Sequence, residues 1–167
     1  NIAVGNNTLD ANTTGNSNTA LGHNSLSANT TAANNLAAGN NSLCATTTGC
    51  QNTALGSNAM DANTTGDNNV AVGRDALGGD AHVAIGYESL LNNTTADCNV
   101  AIGCKSLRAN TTGTNNTAVG SLALTANTTG TTNVAIGRNA GDAITTGSCN
   151  VAIGFGSLTD NITGTSN

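Results

Sequence analysis

The string N-V-A-I-G stands at Asn99, Asn133 and Asn150, and H-V-A-I-G at His82. Self-similarity at a fixed period limits what a chain can fold into more than any other feature. Aligned on the residue before the small apolar run, units begin at Asn1, Asn18, Asn35, Asn52, Asn69, His82, Asn99, Asn116, Asn133 and Asn150. The steps are 17 residues, except for 13 between Asn69 and His82, and Asn167 opens a further turn. Residues 1–167 therefore read as one repeat domain of ten units, with no linker or second domain.

The consensus is N-x-A-[VIL]-G-x-x-[AST]-L-x-A-N-T-T-G-x-x, counted from the first Asn as position 1. A unit of 17 residues is too short for two packed helices, and its Gly and Thr-Thr disfavour even one. Positions 1–4 are β-branched with period two, the pattern of a short strand. One strand per unit, stacked unit on unit about 4.8 Å apart, gives an all-β parallel β-solenoid, or β-roll, of ten coils. Gly at position 5 is expected to turn the chain at positive φ. Positions 7–10 are expected to form a second strand, and N-T-T-G an outward-bulging return loop. That bulge would explain how the short unit at Asn69 drops four residues there.

The core ladder is expected from two files. One is position 4: Val4, Leu21, Leu55, Val72, Ile85, Ile102, Val119, Ile136 and Ile153, with Ala38 in the third unit. The other is position 9: Leu9, Leu26, Leu43, Met60, Leu77, Leu90, Leu107, Leu124 and Leu158, with Gly141 in the ninth unit. Ile144, which replaces the loop Asn of that unit, is expected to fold into the gap. Position 3 is Ala throughout: Ala3, Ala20, Ala37, Ala54, Ala71, Ala84, Ala101, Ala118, Ala135 and Ala152. In a strand it faces opposite to position 4, so it is expected at a subunit interface. The alternative is that Ala fits a narrow spot inside.

Composition excludes several function classes. Charged residues are 8% of the chain, the net charge is −5, and there is one Phe, one Tyr and no Trp. Nucleic-acid binding needs Lys and Arg for phosphates and aromatic platforms for bases. No apolar run approaches the ~18 residues of a membrane span. Neither a catalytic constellation nor a cofactor or metal motif recurs, so the chain is expected not to be an enzyme. The string G-G-D at Gly78–Asp80 resembles calcium-binding repeats but occurs once, where those need an array.

At N-V-A-I-G the chain resembles the head repeats of trimeric autotransporter adhesins. The stretch N-N-T-A-V-G-S-L-A-L-T-A-N-T-T-G, Asn115–Gly130, is similar to repeats of phage and virus tail-fibre proteins. The resemblance covers all ten units. It implies a left-handed, homotrimeric β-roll with Ala near the three-fold axis and the aliphatics inside each roll. It also implies display or adhesion at a cell or virion surface. The period here is longer than in the adhesin head, and no neck, coiled-coil stalk or membrane anchor is visible.

The expected role is therefore a shaft or head segment of an extracellular fibre, partnered by itself as a homotrimer or end-to-end filament, and by surface glycans or receptors. Two alternatives rest on the loop. Asn12, Asn29, Asn63, Asn93, Asn110, Asn127 and Asn161 each precede x-Thr, and Asn6, Asn40, Asn92 and Asn115 add further sequons. These would make a glycan-coated rod, unless the Asn and Thr side chains form a ladder between coils. The Thr-Thr pairs raise ice binding, although adjacent residues of an extended segment face opposite ways. Of five cysteines, Cys44 and Cys50 flank one loop and could be bridged there, or could stand as small residues in place of Ser or Ala. Cys98 and Cys104 bracket a strand and lie about 20 Å apart if extended, too far for a bond within the chain.

Overall fold

The computed structural model describes residues 1–77 and 82–167. The G-G-D string lies outside the described residues. Ten short strands follow the repeat: β1 Ile2–Val4, β2 Thr19–Leu21, β3 Leu36–Ala38, β4 Thr53–Leu55, β5 Val70–Val72, β6 His82–Ile85, β7 Asn99–Ile102, β8 Thr117–Val119, β9 Val134–Ile136 and β10 Val151–Ile153. They form a single parallel sheet in chain order. Equivalent letters pair: Ala101 stands beside Ala84 and Ala118. The chain is a β-solenoid.

The core is built differently from the expected ladder. The Ala file faces inward and is fully buried from Ala20 to Ala135. The position-4 file faces outward: Val4 is 61% exposed, Ile136 42% and Ile153 65%. Leu21, Leu55, Ile85 and Ile102 are also exposed, and Val72 and Val119 are half-buried. The position-9 file does fill the interior, from Leu26 and Leu43 through Met60 to Leu124, with Leu9 and Leu158 packed at the two ends. The reason is width. A single turn of 17 residues encloses room for one large apolar side chain per coil beside its buried asparagines, and Leu takes it. The facing wall must then be Ala.

Among the described residues, no second strand forms. Positions 7 and 9 instead adopt left-handed backbone, as at Asn24 (φ 55°) and Leu26 (φ 49°). This geometry disfavours a branched residue by about 1–2 kcal/mol, and burial of each Leu offsets it. Coils still bond one to the next here, Leu26 N–H donating to the Ser42 carbonyl at 3.0 Å. The N-T-T segment is likewise wall rather than bulge: Thr47 N–H donates to the Thr64 carbonyl at 2.9 Å, and Thr111 N–H to that of Thr128 at 2.9 Å.

Where Gly141 replaces Leu, Ile144 is 1% exposed. Its Cδ1 lies 3.0 Å from where a Gly141 side chain would begin. Ile144 fills the gap from three residues further along the same coil, its N–H donating to the Gly141 carbonyl at 3.1 Å. Ile144→Ala is expected to cost about 2–4 kcal/mol, because nothing else in that coil can occupy the space. A urea midpoint checks it.

Candidate functional site

The outward side of the sheet carries two parallel files, positions 2 and 4. Beside the position-4 residues run Ile2, Thr19, Leu36, Thr53, Val70, Val83, Val100, Thr117, Val134 and Val151. Neither file contains a charged residue. Strands of three or four residues stacked ten deep make a face roughly 45 Å by 10 Å, about 450 Å². That is the size of the largest apolar patch on an ordinary monomer, which commonly marks an interaction site. The position-2 file was missed as a surface feature by the sequence. The signal was there: position 3 never varies from a small residue, as a tight interior demands, whereas position 2 accepts Thr as well as Val, Ile and Leu.

The face is framed by two unlike rims. Just before the strands lie Asp67–Asn68 ahead of β5, and Asp97–Cys98 ahead of β7. Just after them lie Arg74 beyond β5, Cys104–Lys105 beyond β7 and Arg138 beyond β9. Asp67 accepts a hydrogen bond from Cys50 N–H at 2.6 Å. Arg74 lies 4.8 Å above the Tyr87 ring and 3.6 Å from Asp75. Arg108 pairs with Glu88 at 2.6 Å. Hydrogen bonding to Tyr87 is the main cause holding the Glu88 carboxyl below its usual range.

Two asparagine ladders tie the coils together. At position 1, the Asn of a 17-residue unit closes its own coil and hands a bond to the next. Asn99 Nδ2 donates to the Gly113 carbonyl at 2.8 Å, while its Oδ1 accepts Asn116 N–H at 2.9 Å. The second ladder is position 12, the sequon asparagine. Asn29, Asn63, Asn93, Asn110 and Asn127 are buried, with exposures of 0–2%. Asn110 Nδ2 donates to Asn93 Oδ1 at 3.0 Å, and Asn127 Nδ2 to Asn110 Oδ1 at 2.9 Å. Only Asn12 and Asn161, in the end coils, are half-exposed. The glycan reading of these seven sequons is corrected: a sugar on the five inner ones would have to occupy the interior. The exposed sequon asparagines are Asn6, Asn40, Asn92 and Asn115. The threonine after position 12 is spent as well, Thr111 Oγ1 donating to the Thr128 carbonyl at 3.0 Å.

His82 stands where other units have Asn. Its Nδ1 accepts Asn99 N–H at 3.2 Å, as an Asn oxygen does elsewhere. Its Nε2 contacts Asn93 Nδ2 at 2.7 Å. The short unit supplies no position-12 Asn beneath Asn93, and the longer imidazole reaches that place. Beside it a cavity of about 360 Å³ is lined by Asp67, Asn68, His82, Val83, Cys98, Asn99 and Val100. A second, also about 360 Å³, includes Asp61, Asp75, Leu77 and Asn92. Burial, and then the Asp75 charge, push the Asp61 carboxyl up. The folded chain thus holds that proton more tightly than the unfolded one, so the contribution of Asp61 to stability falls as pH rises through the carboxylate range, opposite in sign to that of Glu88. Among the described residues, no group of three or more His, Cys, Asp or Glu is placed to hold a metal ion.

All five cysteines are free thiols. The Cys44–Cys50 bridge does not form: Cys44 Sγ donates to the Asp61 carbonyl at 3.6 Å, and Cys50 Sγ to that of Thr48 at 3.3 Å. The segment between them is coil wall rather than a hairpin, so its ends do not meet. Burial raises the Cys44 thiol above its ordinary value, with Asp61 adding to it. Among the described residues, no helix is long and apolar enough to cross a membrane. No family model, curated protein or solved structure matches the chain.

Proposed function

We propose that the chain is a structural subunit that joins copies of itself through the aliphatic sheet face to build an extracellular fibre segment, a shaft or head at a cell or virion surface. The carrying observation is the face itself: two uncharged files over ten strands, with Val4, Ile2 and Ile153 more than half exposed. Water disfavours such a surface by about 25 cal/mol per Å², and a second copy offers a flat counterpart of the same length. The N-T-T side then remains outermost and is the side available for display or for gripping a receptor glycan. This role asks no bond-making chemistry of the chain.

Ile102→Lys tests the assembly. Ile102 points outward and is 36% exposed, so the substitution is expected to leave the circular dichroism spectrum unchanged and to convert oligomer to monomer in sedimentation equilibrium. A wild-type chain that sediments as a monomer at every concentration overturns the reading. Electron microscopy of the native particle tests the fibre. The ice-binding alternative has less support, because one of its two threonine files already donates to backbone carbonyls. A thermal hysteresis assay decides it.

A further inference from the structure

We infer that N-glycosylation and this fold exclude one another at Asn29, Asn63, Asn93, Asn110 and Asn127, so that a glycan transferred to any of these sequons blocks folding. The inference concerns how the chain is made and stands apart from the assembly reading. Two observations carry it.

The first is the atom a sugar would take. An N-glycan is joined to the Asn of N-x-Ser or N-x-Thr. The bond forms between Nδ2 and the first sugar of a lipid diphosphate-linked oligosaccharide. The sugar's bond to the diphosphate breaks, one Nδ2 proton is lost, and a single N–H remains. In the fold each inner Nδ2 uses both of its hydrogens. Asn110 donates to Asn93 Oδ1 at 3.0 Å and to the Gly113 carbonyl at 2.9 Å. Asn127 donates to Asn110 Oδ1 at 2.9 Å and to the Gly130 carbonyl at 3.1 Å. Asn29 reaches Asn12 Oδ1 at 2.8 Å and the Ala32 carbonyl at 3.3 Å. Asn63 reaches Thr46 Oγ1 at 3.4 Å and the Gly66 carbonyl at 3.1 Å. Asn93 contacts His82 Nε2 at 2.7 Å and the Ala96 carbonyl at 3.4 Å.

The second is space. These asparagines are 0–2% exposed. Even one added carbon does not fit beside them: a Cβ on Gly113 would lie 2.6 Å from Asn110 Oδ1, and one on Gly130 2.4 Å from Asn127 Oδ1. A sugar there removes a rung and has no opening to leave by.

The order of events turns the conflict into a block. Oligosaccharide transfer acts on extended chain, before coils stack, so all five sequons are open when the transferase meets them. The chain therefore belongs to a route on which it folds without that encounter. Its thiols point the same way. Cys98, Cys104 and Cys149 are exposed and free, a state that a reducing compartment preserves. Asn6, Asn40, Asn92 and Asn115 are exposed and carry no such conflict.

The test uses the full chain with Cys44, Cys50, Cys98, Cys104 and Cys149 changed to serine, so that thiol pairing does not intervene. Other coils hold Ser17, Ser27, Ser57 and Ser148 in the same columns. This chain is expressed in a eukaryotic cell behind a cleavable secretory leader, and separately in the cytosol. Folded and unfolded chains are separated on a native gel, thermolysin resistance marks the folded band, and each sequon is mapped by peptide mass. Sugar on the five inner asparagines is expected only in the unfolded band, and the cytosolic chain is expected to be folded and unmodified. Thr31→Ala, Thr65→Ala, Thr95→Ala, Thr112→Ala and Thr129→Ala together remove the five sequons at exposed side chains and leave the asparagines in place. They are expected to move the secreted chain into the folded band and to leave the cytosolic chain folded. Sugar on any of the five asparagines in the folded band overturns the inference. So does a five-alanine chain that folds in the cytosol but gains nothing on the secretory route.

Discussion

Gly137→Ala is expected to destabilise the solenoid by about 3–5 kcal/mol, read as a fall in the urea midpoint. Two independent effects meet at this residue. Its φ is 135°, a conformation that side chains rarely adopt, and a Cβ there would lie 2.5 Å from the Gly154 carbonyl oxygen of the next coil. Gly154→Ala separates them. Gly154 has φ 112° but nothing within 4 Å of the added carbon. It is expected to lose only the backbone part, about 1–3 kcal/mol. The difference between the two variants measures how closely the coils stack, and equal losses would show that stacking does not fix this position.

The second large effect is expected at Asn116→Ala, about 2–5 kcal/mol. Asn116 Oδ1 accepts Asn133 N–H at 3.0 Å and Asn133 Nδ2 at 3.2 Å. Its Nδ2 donates to the Gly130 carbonyl at 2.8 Å. Asn116 and Asn133 are buried, at 0% and 1%. Truncation leaves the Asn133 N–H without a partner, at about 1–3 kcal/mol, and removes two further bonds worth about 0.5–1.5 kcal/mol each, although the Gly130 carbonyl keeps Asn127 Nδ2 at 3.1 Å. Thr112→Ala, at an exposed side chain, is expected to stay within about 0.5 kcal/mol. Hydrogen exchange should localise the Asn116→Ala loss to the Asn133 amide and its neighbours. An unchanged midpoint would show that the asparagine ladder contributes nothing to coil closure.

The stack was legible because its cause is arithmetic. A 17-residue period with fixed Ala, Gly and Leu puts equal letters above one another whatever the wall looks like in section. The Leu file, the turning Gly and the rescue of Gly141 by Ile144 followed from that. The direction of the strand's side chains did not. Alternation places Ala opposite to positions 2 and 4 but does not say which side is interior, and the larger side chains were assigned inward by their hydrophobicity alone. The coil's cross-section reverses the choice. Once Leu26 or Leu107 occupies the middle, only a methyl group fits across from it, and the branched residues are forced outside. The candidate interface moved with them, from the Ala file to the Val and Ile files.

The asparagines show the same division. Their recurrence fixed two columns, one at position 1 and one at position 12. The sequon pattern could not distinguish a surface for sugars from a bonded interior, because Asn serves either. Positive φ at Leu26, Leu107 and their equivalents, invisible in residue types that normally avoid it, curls the wall so that position 12 turns in.

By itself the sequence determined the parallel stack, its pitch and which residues stand in file, since these depend only on periodicity. Which files are inside was decided by the tertiary structure, because a closed turn of this length has room for one large apolar side chain, and that limit belongs to the enclosed space rather than to any residue.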